Sequence, residues 1–328
     1  MNKGAIYLNH EYSGFEPLQI FDVIYGGHFE HRLIRSGHAS MQHQRLILGE
    51  VRLESGSYDF PVIAQGSMPH DAICIGLVAD GVDATRFNTA AIAEDEIQIY
   101  PLGVELLYHA SASSRWVTLT ATEKLLQNTA FVRAGRSLAL KGPAGASIRL
   151  RPGERRRLVA LADDAMSLAR SLDAGHGISP ALAGEVSRAL IDAYVDALSS
   201  ATRMDSRKNL EAATRHYHVI RACERLITSG QEANIALAEV ARRSGYSLRS
   251  LELIFRNSVG TTPGRWFLNV RLNGALRDLL KGGEAGCVTE IALRWGFRHL
   301  ARFAAHYRIM FGELPSETLR RSTRMLAR

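Results

Sequence analysis

Cysteine is scarce in this chain: Cys74, Cys223 and Cys287 stand far apart and form no CxxC pair. That excludes a disulfide scaffold and a zinc knuckle, and predicts three reduced thiols. Long apolar runs are missing too, and nothing approaches the roughly 18 residues of a membrane span. The opening stretch, MNKGAIYLNHEYSG, lacks the apolar core of a signal peptide. Proline is sparse, at 9 residues, and with 46% apolar and 22% charged residues the chain is neither disordered nor collagen-like. Catalytic signatures are absent as well. No GxSxG or HExxH occurs, and KGPAGAS at 141–147 lacks the GK[ST] ending of a phosphate loop, so it reads as a turn. His28, His31, His38 and His43 are not spaced as a two-histidine metal set, which needs a pair separated by one residue, then a Glu and a third His. No catalytic residue, metal or cofactor is therefore assigned, and an enzyme is not expected.

What is present is size, charge asymmetry and repetition. A length of 328 residues suits two domains, each with a core of its own. From His216 onward the chain holds 18 Lys and Arg against 9 Asp and Glu, whereas residues 1–215 hold 22 against 24. A slightly acidic front thus joins a basic back, in which every cation but Lys281 is arginine. The planar guanidinium fork suits bidentate contact to phosphate or to guanine O6/N7, so the bias points to nucleic acid.

Residues 1 to about 140 read as mostly β. Runs such as QRLILGEVRLESGSYDF, AICIGLVADGV, DEIQIYPLGVELLYHA and SRWVTLTA alternate with Gly, Ser, Asp and Pro at the spacing of a sandwich or barrel. The Gly/Pro-rich segment 140–154 marks a break, after which apolar residues recur at helical spacing in two stretches. Ser179 and Pro180 supply a cap and a first-turn proline for the second of them. Two helices are too few for a core, so they pack on the β domain or on a second copy. The polar stretch 201–217 reads as a linker. The expected units are a β-rich domain at 1–150, a helical dimerisation segment at 151–200, the linker, and a helical domain at 218–328.

AEVARRSGYS (238–247) and TEIALRWGFR (289–298) align at an offset of 51. With one residue inserted, Leu251, Phe255, Arg256, Gly260 and Pro263 match Phe303, Tyr307, Arg308, Gly312 and Pro315 at an offset of 52. Each copy reads helix, Gly-aromatic turn, helix, Gly-x-x-Pro, with Gly245 and Gly296 where a tight turn wants positive φ. That is the helix-turn-helix plan, expected at about 236–257 and 288–310. On the second helix of copy one, Leu248, Leu251, Phe255 and Val259 form the expected core stripe. Arg249, Ser250, Leu253, Arg256 and Asn257 then face outward. In copy two, Phe303, Tyr307 and Phe311 are expected inside, with Arg298, His299, Ala301, Arg302 and Ala305 outside. The candidate DNA-contacting set is Arg249, Ser250, Leu253, Arg256, Arg298, His299 and Arg302, with Arg249, Arg298 and Arg302 favoured for guanine or phosphate. Leu253 offers only an apolar contact, such as to a thymine methyl. Between the copies, Trp266, Val270, Leu272, Leu276 and Leu279 form the stripe of a linking helix that ends at Lys281-Gly282-Gly283.

The segments LAEVARRSGYSLRSLELIFRNSVGTTPGRWFLNVRLNGA and VTEIALRWGFRHLARFAAHYRIMFGELPSE, over about residues 219–321, resemble the AraC/XylS family of transcription regulators. In the second segment Ile-Ala, Gly-Phe, Phe-Gly and Pro-Ser stand at 291–292, 296–297, 311–312 and 315–316. The resemblance implies a multi-domain α+β protein. An N-terminal β-rich, cupin-like barrel with following helices would precede an all-α domain of seven helices carrying two helix-turn-helix units. It further implies double-stranded promoter DNA as partner, a homodimer built on the 155–200 helices, a cytoplasmic, nucleoid-associated location, and a role such as activation. A small-molecule effector or a protein partner would act on the front domain. Ala301 and Ala305 depart from the longer polar groups common in relatives, which confines readout by the second unit to Arg298, His299 and Arg302. Tyr25, Phe29, Tyr58, Phe60, Tyr100 and Trp116 are candidates for a pocket lining or for plain core. Two alternatives stay open: a cupin-type metal enzyme fused to a DNA-binding module, and a regulator controlled only by protein contacts.

Overall fold

The computed structural model describes residues 5–13, 23–34, 40–82, 85–110, 112–140, 146–173, 177–203, 207–228, 237–282 and 286–326. The front half is built from two antiparallel sheets lying face to face. The larger sheet has eight strands: β1 (Ile6–Ser13), β3 (Ser40–Leu48), β4 (Val51–Tyr58), β11 (Ser114–Ala121), β6 (Ile73–Asp80), β9 (Glu96–Tyr100), β12 (Ala146–Arg149) and β13 (Thr202–Arg203), in that spatial order. The smaller has five: β2 (His28–Leu33), β5 (Val62–Ser67), β10 (Glu105–Ala110), β7 (Arg86–Phe87) and β8 (Ala90–Ala91). The two do not hydrogen-bond into a closed ring among the described residues, so the expected barrel is an open sandwich. The apolar runs read from sequence supply β3, β4, β6, β9, β10 and β11. β3 and β4 form a hairpin in which Leu48 pairs with Val51 around Gly49, whose φ of 65° suits a two-residue turn.

Alternation along each strand divides its side chains between two cores. Leu46, Leu53, Ile75, Val117 and Leu119 point outward, under helices α2 (Glu154–Asp173) and α3 (Pro180–Ser200). Leu158, Ala162, Met166, Leu190, Tyr194 and Leu198 cover them. The two helices thus spend their apolar faces on the β domain of their own chain. A further helix, α1 (Glu123–Ala134), follows β11, in a region read as β. Thr122 caps it, accepting from the Leu125 N–H at 3.3 Å, and Arg133 ties it to Asp192 and Asp196 of α3.

Behind the small sheet stand seven helices: α4 (Arg207–Thr228), α5 (Leu237–Arg243), α6 (Leu248–Val259), α7 (Pro263–Leu280), α8 (Val288–Arg294), α9 (Leu300–Phe311) and α10 (Pro315–Leu326). α4 runs through 207–217, the second half of the segment read as a linker, so that part is regular helix. Among the described residues no helix is long and apolar enough to cross a membrane. Cys74 and Cys223 are buried, Cys287 is exposed, and none forms a disulfide.

Candidate DNA-binding surface and sensor cavity

The repeat in the sequence is a repeat in hydrogen bonding. The Tyr246 N–H donates to the Ala241 carbonyl at 3.0 Å and the Gly245 N–H to that of Arg242 at 3.1 Å. At an offset of 51, Phe297 donates to Ala292 at 2.9 Å and Gly296 to Leu293 at 2.9 Å. Gly245 and Gly296 have φ of 77° and 78°, where a Cβ would be strained. α6 and α9 then end alike. The Gly260 N–H returns to the Arg256 carbonyl at 3.2 Å, and that of Gly312 to Arg308 at 2.9 Å. Pro263 and Pro315 start the next helix in each copy.

α7 belongs to both cores. Trp266, Phe267 and Val270 pack with Leu251 and Phe255 of α6. Leu272, Ala275, Leu276 and Leu279 pack with Ile291, Phe303 and Tyr307 of α8 and α9. The Trp295 indole lies over Gly274, where a Cβ would stand 2.2 Å from the ring, and its N–H donates to Asp278 at 2.9 Å. One rigid helix of 18 residues, about 27 Å at 1.5 Å per residue, therefore sets the spacing of the two units.

On α6, Arg249, Ser250, Leu253, Arg256 and Asn257 are exposed as expected, while Leu251, Phe255 and Val259 are buried. Leu248, read as core, is 40% exposed, and Ile254 takes the inner position. The helix starts at Leu248, one residue after its cap Ser247, and the first turn leans away from the core. Ser250 helps to close that cap, donating its N–H to Ser247 Oγ at 3.1 Å, with the two hydroxyls 2.8 Å apart. On the second unit Arg298, His299, Ala301, Arg302 and Ala305 are exposed. Arg298 precedes the helix and His299 caps α9 with its backbone alone. Phe303, Tyr307 and Met310 are buried, and Phe311 only partly so. Arg249, Arg256 and Arg302 enter no ion pair among the described residues, whereas Arg242 and Arg243 are held by Glu239.

Between the two sheets of the sandwich lies a small cavity of about 60 Å³. Four of the six aromatic candidates, Phe29, Tyr58, Tyr100 and Trp116, line it. Phe60 is buried beside Tyr58, ring centroids 5.7 Å apart, and Tyr25 is 40% exposed under the Arg52 guanidinium. Gly76 admits the Tyr100 ring, since a Cβ there would stand 2.9 Å from Tyr100 Cε2. Next to the cavity His31 Nε2 meets the Tyr58 hydroxyl at 3.1 Å and His43 Nε2 the Val23 carbonyl at 3.0 Å. Burial lowers these imidazoles to pKa values of about 4 and about 3, which keeps both neutral near pH 7. Among the described residues no three His, Cys, Asp or Glu are grouped to hold a metal, and His38 lies outside the described residues.

No sequence motif marks the joint between the halves. Arg32, buried on β2, places Nη1 2.8 Å from Glu224 Oε1 of α4 and Nε 3.0 Å from Glu30. Glu224 also accepts from the Trp266 indole at 2.8 Å and from Arg221 at 3.0 Å. Arg277 of α7 closes on Glu30 at 2.9 Å. Burial opposes ionisation of Glu30, but Arg32, Arg277 and Arg221 outweigh it and hold the carboxyl below its usual range. Asn273 of α7 pairs its side-chain amide with the Leu33 main chain, accepting from N–H at 3.1 Å and donating to C=O at 3.2 Å.

A helix-turn-helix domain family matches residues 240–321. The probable thc operon regulatory protein of Rhodococcus erythropolis is 44% identical over 103 residues, 31% of this chain and 31% of that protein. The XylDLEGF operon transcriptional activator of Pseudomonas putida is 42% identical over 103 residues, 31% of this chain and 32% of its own. The matched region thus spans about a third of the length of these curated relatives. A crystal structure of a probable AraC family transcriptional regulator from Rhodopseudomonas palustris is 36% identical, covering 32% of this chain and 97% of that one, with a TM-score of 0.29. Residues 240–321 thus carry a helix-turn-helix domain, and the C-terminal third of the chain is similar to transcription regulators of the AraC/XylS type.

Proposed function

We propose that the protein is a sequence-specific transcription regulator that lays α6 and α9 in adjacent major grooves and answers to a small molecule held in the sandwich cavity. The observation that carries this reading is the pair of like helix-turn-helix units on one shared helix, with Arg249 and Arg302 exposed on their second helices. Adjacent major grooves on one DNA face lie about 34–36 Å apart, and a helix of about 27 Å with recognition helices beyond its ends suits that span. Arg249, Arg298 and Arg302 read base edges or phosphate, Arg256 holds phosphate, Leu253 offers apolar contact, and Ser250 and His299 sit at the groove-facing helix starts.

β2 supports the link to a ligand. Phe29 lines the cavity, while Glu30, Arg32 and Leu33 of the same strand grip α4 and α7. A ligand that prefers one arrangement of this joint shifts the balance of docked and released states by its difference in affinity for the two. A homodimer through the outer faces of α2 and α3 belongs to the same proposal.

The test is retention of genomic DNA fragments by the full chain across a salt series, followed by sequencing. Recovery of a few sites two helical turns long, with a steep salt slope, is the expected result. Uniform weak retention overturns sequence-specific regulation. Control by a protein partner alone would show as specific DNA binding that no small molecule alters.

A further inference from the structure

The cavity also says which chemistry it receives, if the sensor reading above holds. We propose that it is a site for a small uncharged aromatic molecule whose polar end is an amide, carbonyl or hydroxyl taken by Gln98.

Gln98 sits on β9 in the middle of the large sheet, is 1% exposed, and lines the cavity. Its Nε2 has no hydrogen-bond partner, whereas the hydroxyls of Thr118 and Tyr108 on the same walls are engaged by Cys74 and Thr85. Buried polar groups are nearly always satisfied, so an unsatisfied amide facing an empty space marks where a partner is missing. A side-chain amide offers both a donor and an acceptor, so Gln98 pairs with a primary amide in either orientation.

The absence of charge narrows the class. Among the described residues lining the cavity there is no Lys, Arg, His, Asp or Glu. The nearby Arg45 is committed to Glu54, with Nε 2.5 Å from Oε1. A carboxylate would surrender its hydration here without a counter-ion, whereas a neutral carbonyl or hydroxyl would not. The apolar walls are aromatic: Phe29, Tyr58, Tyr100 and Trp116 offer ring faces and edges to a flat body. A volume of about 60 Å³ limits the occupant to a small one, of about a single ring.

The test titrates the full chain at pH 7 with benzamide, benzoate and toluene, read by calorimetry and by the shift in melting temperature. Benzamide is expected to bind and to raise the melting temperature with concentration. Benzoate is expected at least tenfold weaker, and toluene to bind without dependence on Gln98. In Gln98→Leu, benzamide affinity should fall about tenfold or more, while the melting temperature of the free protein stays level or rises. A purely structural Gln98 would instead lower it. Thr118→Val, which keeps the shape, gives a second reading if Gln98→Leu fails to fold. Benzoate binding as tightly as benzamide overturns the uncharged class. No binding by any of the three overturns the cavity as an aromatic site and leaves it a packing space. Retention of specific DNA, measured on the same samples, keeps the two readings apart: a chain that holds its operator but binds no probe defeats only this inference.

Discussion

Arg32 and Glu224 lie 192 residues apart in sequence and form a 2.8 Å ion pair buried between the sandwich and the helical domain. Neither charge has solvent to fall back on, so each depends on the other. Glu224→Leu leaves the Arg32 guanidinium buried with Glu30 as its remaining partner and takes the acceptor from the Trp266 indole. A loss of about 3–5 kcal/mol in stability by denaturant unfolding is expected. The pair Arg32→Met with Glu224→Leu should recover part of it, because the buried Arg32 charge is gone, although Arg221 and the Trp266 indole still lack Glu224. A double variant as unstable as the single one would show that packing, not charge, holds the joint.

Arg249→Ala and Arg302→Ala are expected to weaken binding to the specific site by about 1–3 kcal/mol and to random duplex much less. Arg256→Ala should weaken both alike and flatten the slope of log affinity against log salt by about one. Titrations on operator and random DNA at several salt concentrations separate the two classes. Equal loss on both DNAs for Arg249→Ala would move Arg249 from base edge to phosphate.

Gly296→Val should undo the second helix-turn-helix unit, since a β-branched residue is disfavoured at a φ of 78°. Gly245→Val, at 77°, should do the same to the first unit. Hydrogen exchange read separately over α5–α6 and α8–α9 checks whether each change stays in its own unit.

The buried His31 gives the sandwich a pH dependence of defined sign. Its pKa is lowered by burial from 6.5 to about 4, so the unfolded chain binds the proton more readily than the folded one. Its contribution is complete above pH 6.5 and declines as pH falls toward 4, by up to about 1.4 kcal/mol per pH unit. Glu30, held below its usual range, adds a loss only at lower pH, as its folded form protonates. Unfolding of wild type and His31→Phe between pH 7 and 4 should show a flatter curve for the variant.

The helix-turn-helix units were legible because local chemistry writes them down. Gly245 and Gly296 need positive φ, and the apolar stripes repeat at the helical period. Leu248 was misread for the same reason: one residue at a helix start changes which way the first turn faces. α1 escaped notice because its apolar residues do not form one stripe, and Phe131 and Val132 stand 67% and 84% exposed. The joint was illegible for a different reason. Arg32, Glu224 and Asn273 look like ordinary surface residues, and only tertiary contact across some 190–240 positions turns them into partners. Gln98 likewise became conspicuous only when the sheets closed over it without supplying its amide nitrogen a hydrogen bond.

The Asn273 amide does for β2 what a neighbouring strand would do. β2 is the end strand of the five-stranded sheet, and α7 supplies a single peptide-like rung to its open side. Under the proposed switch, release of the helical domain would therefore bare a sticky border. An unguarded strand border is a template for another chain. In that switch the released state has to be brief, because prolonged release invites clumping.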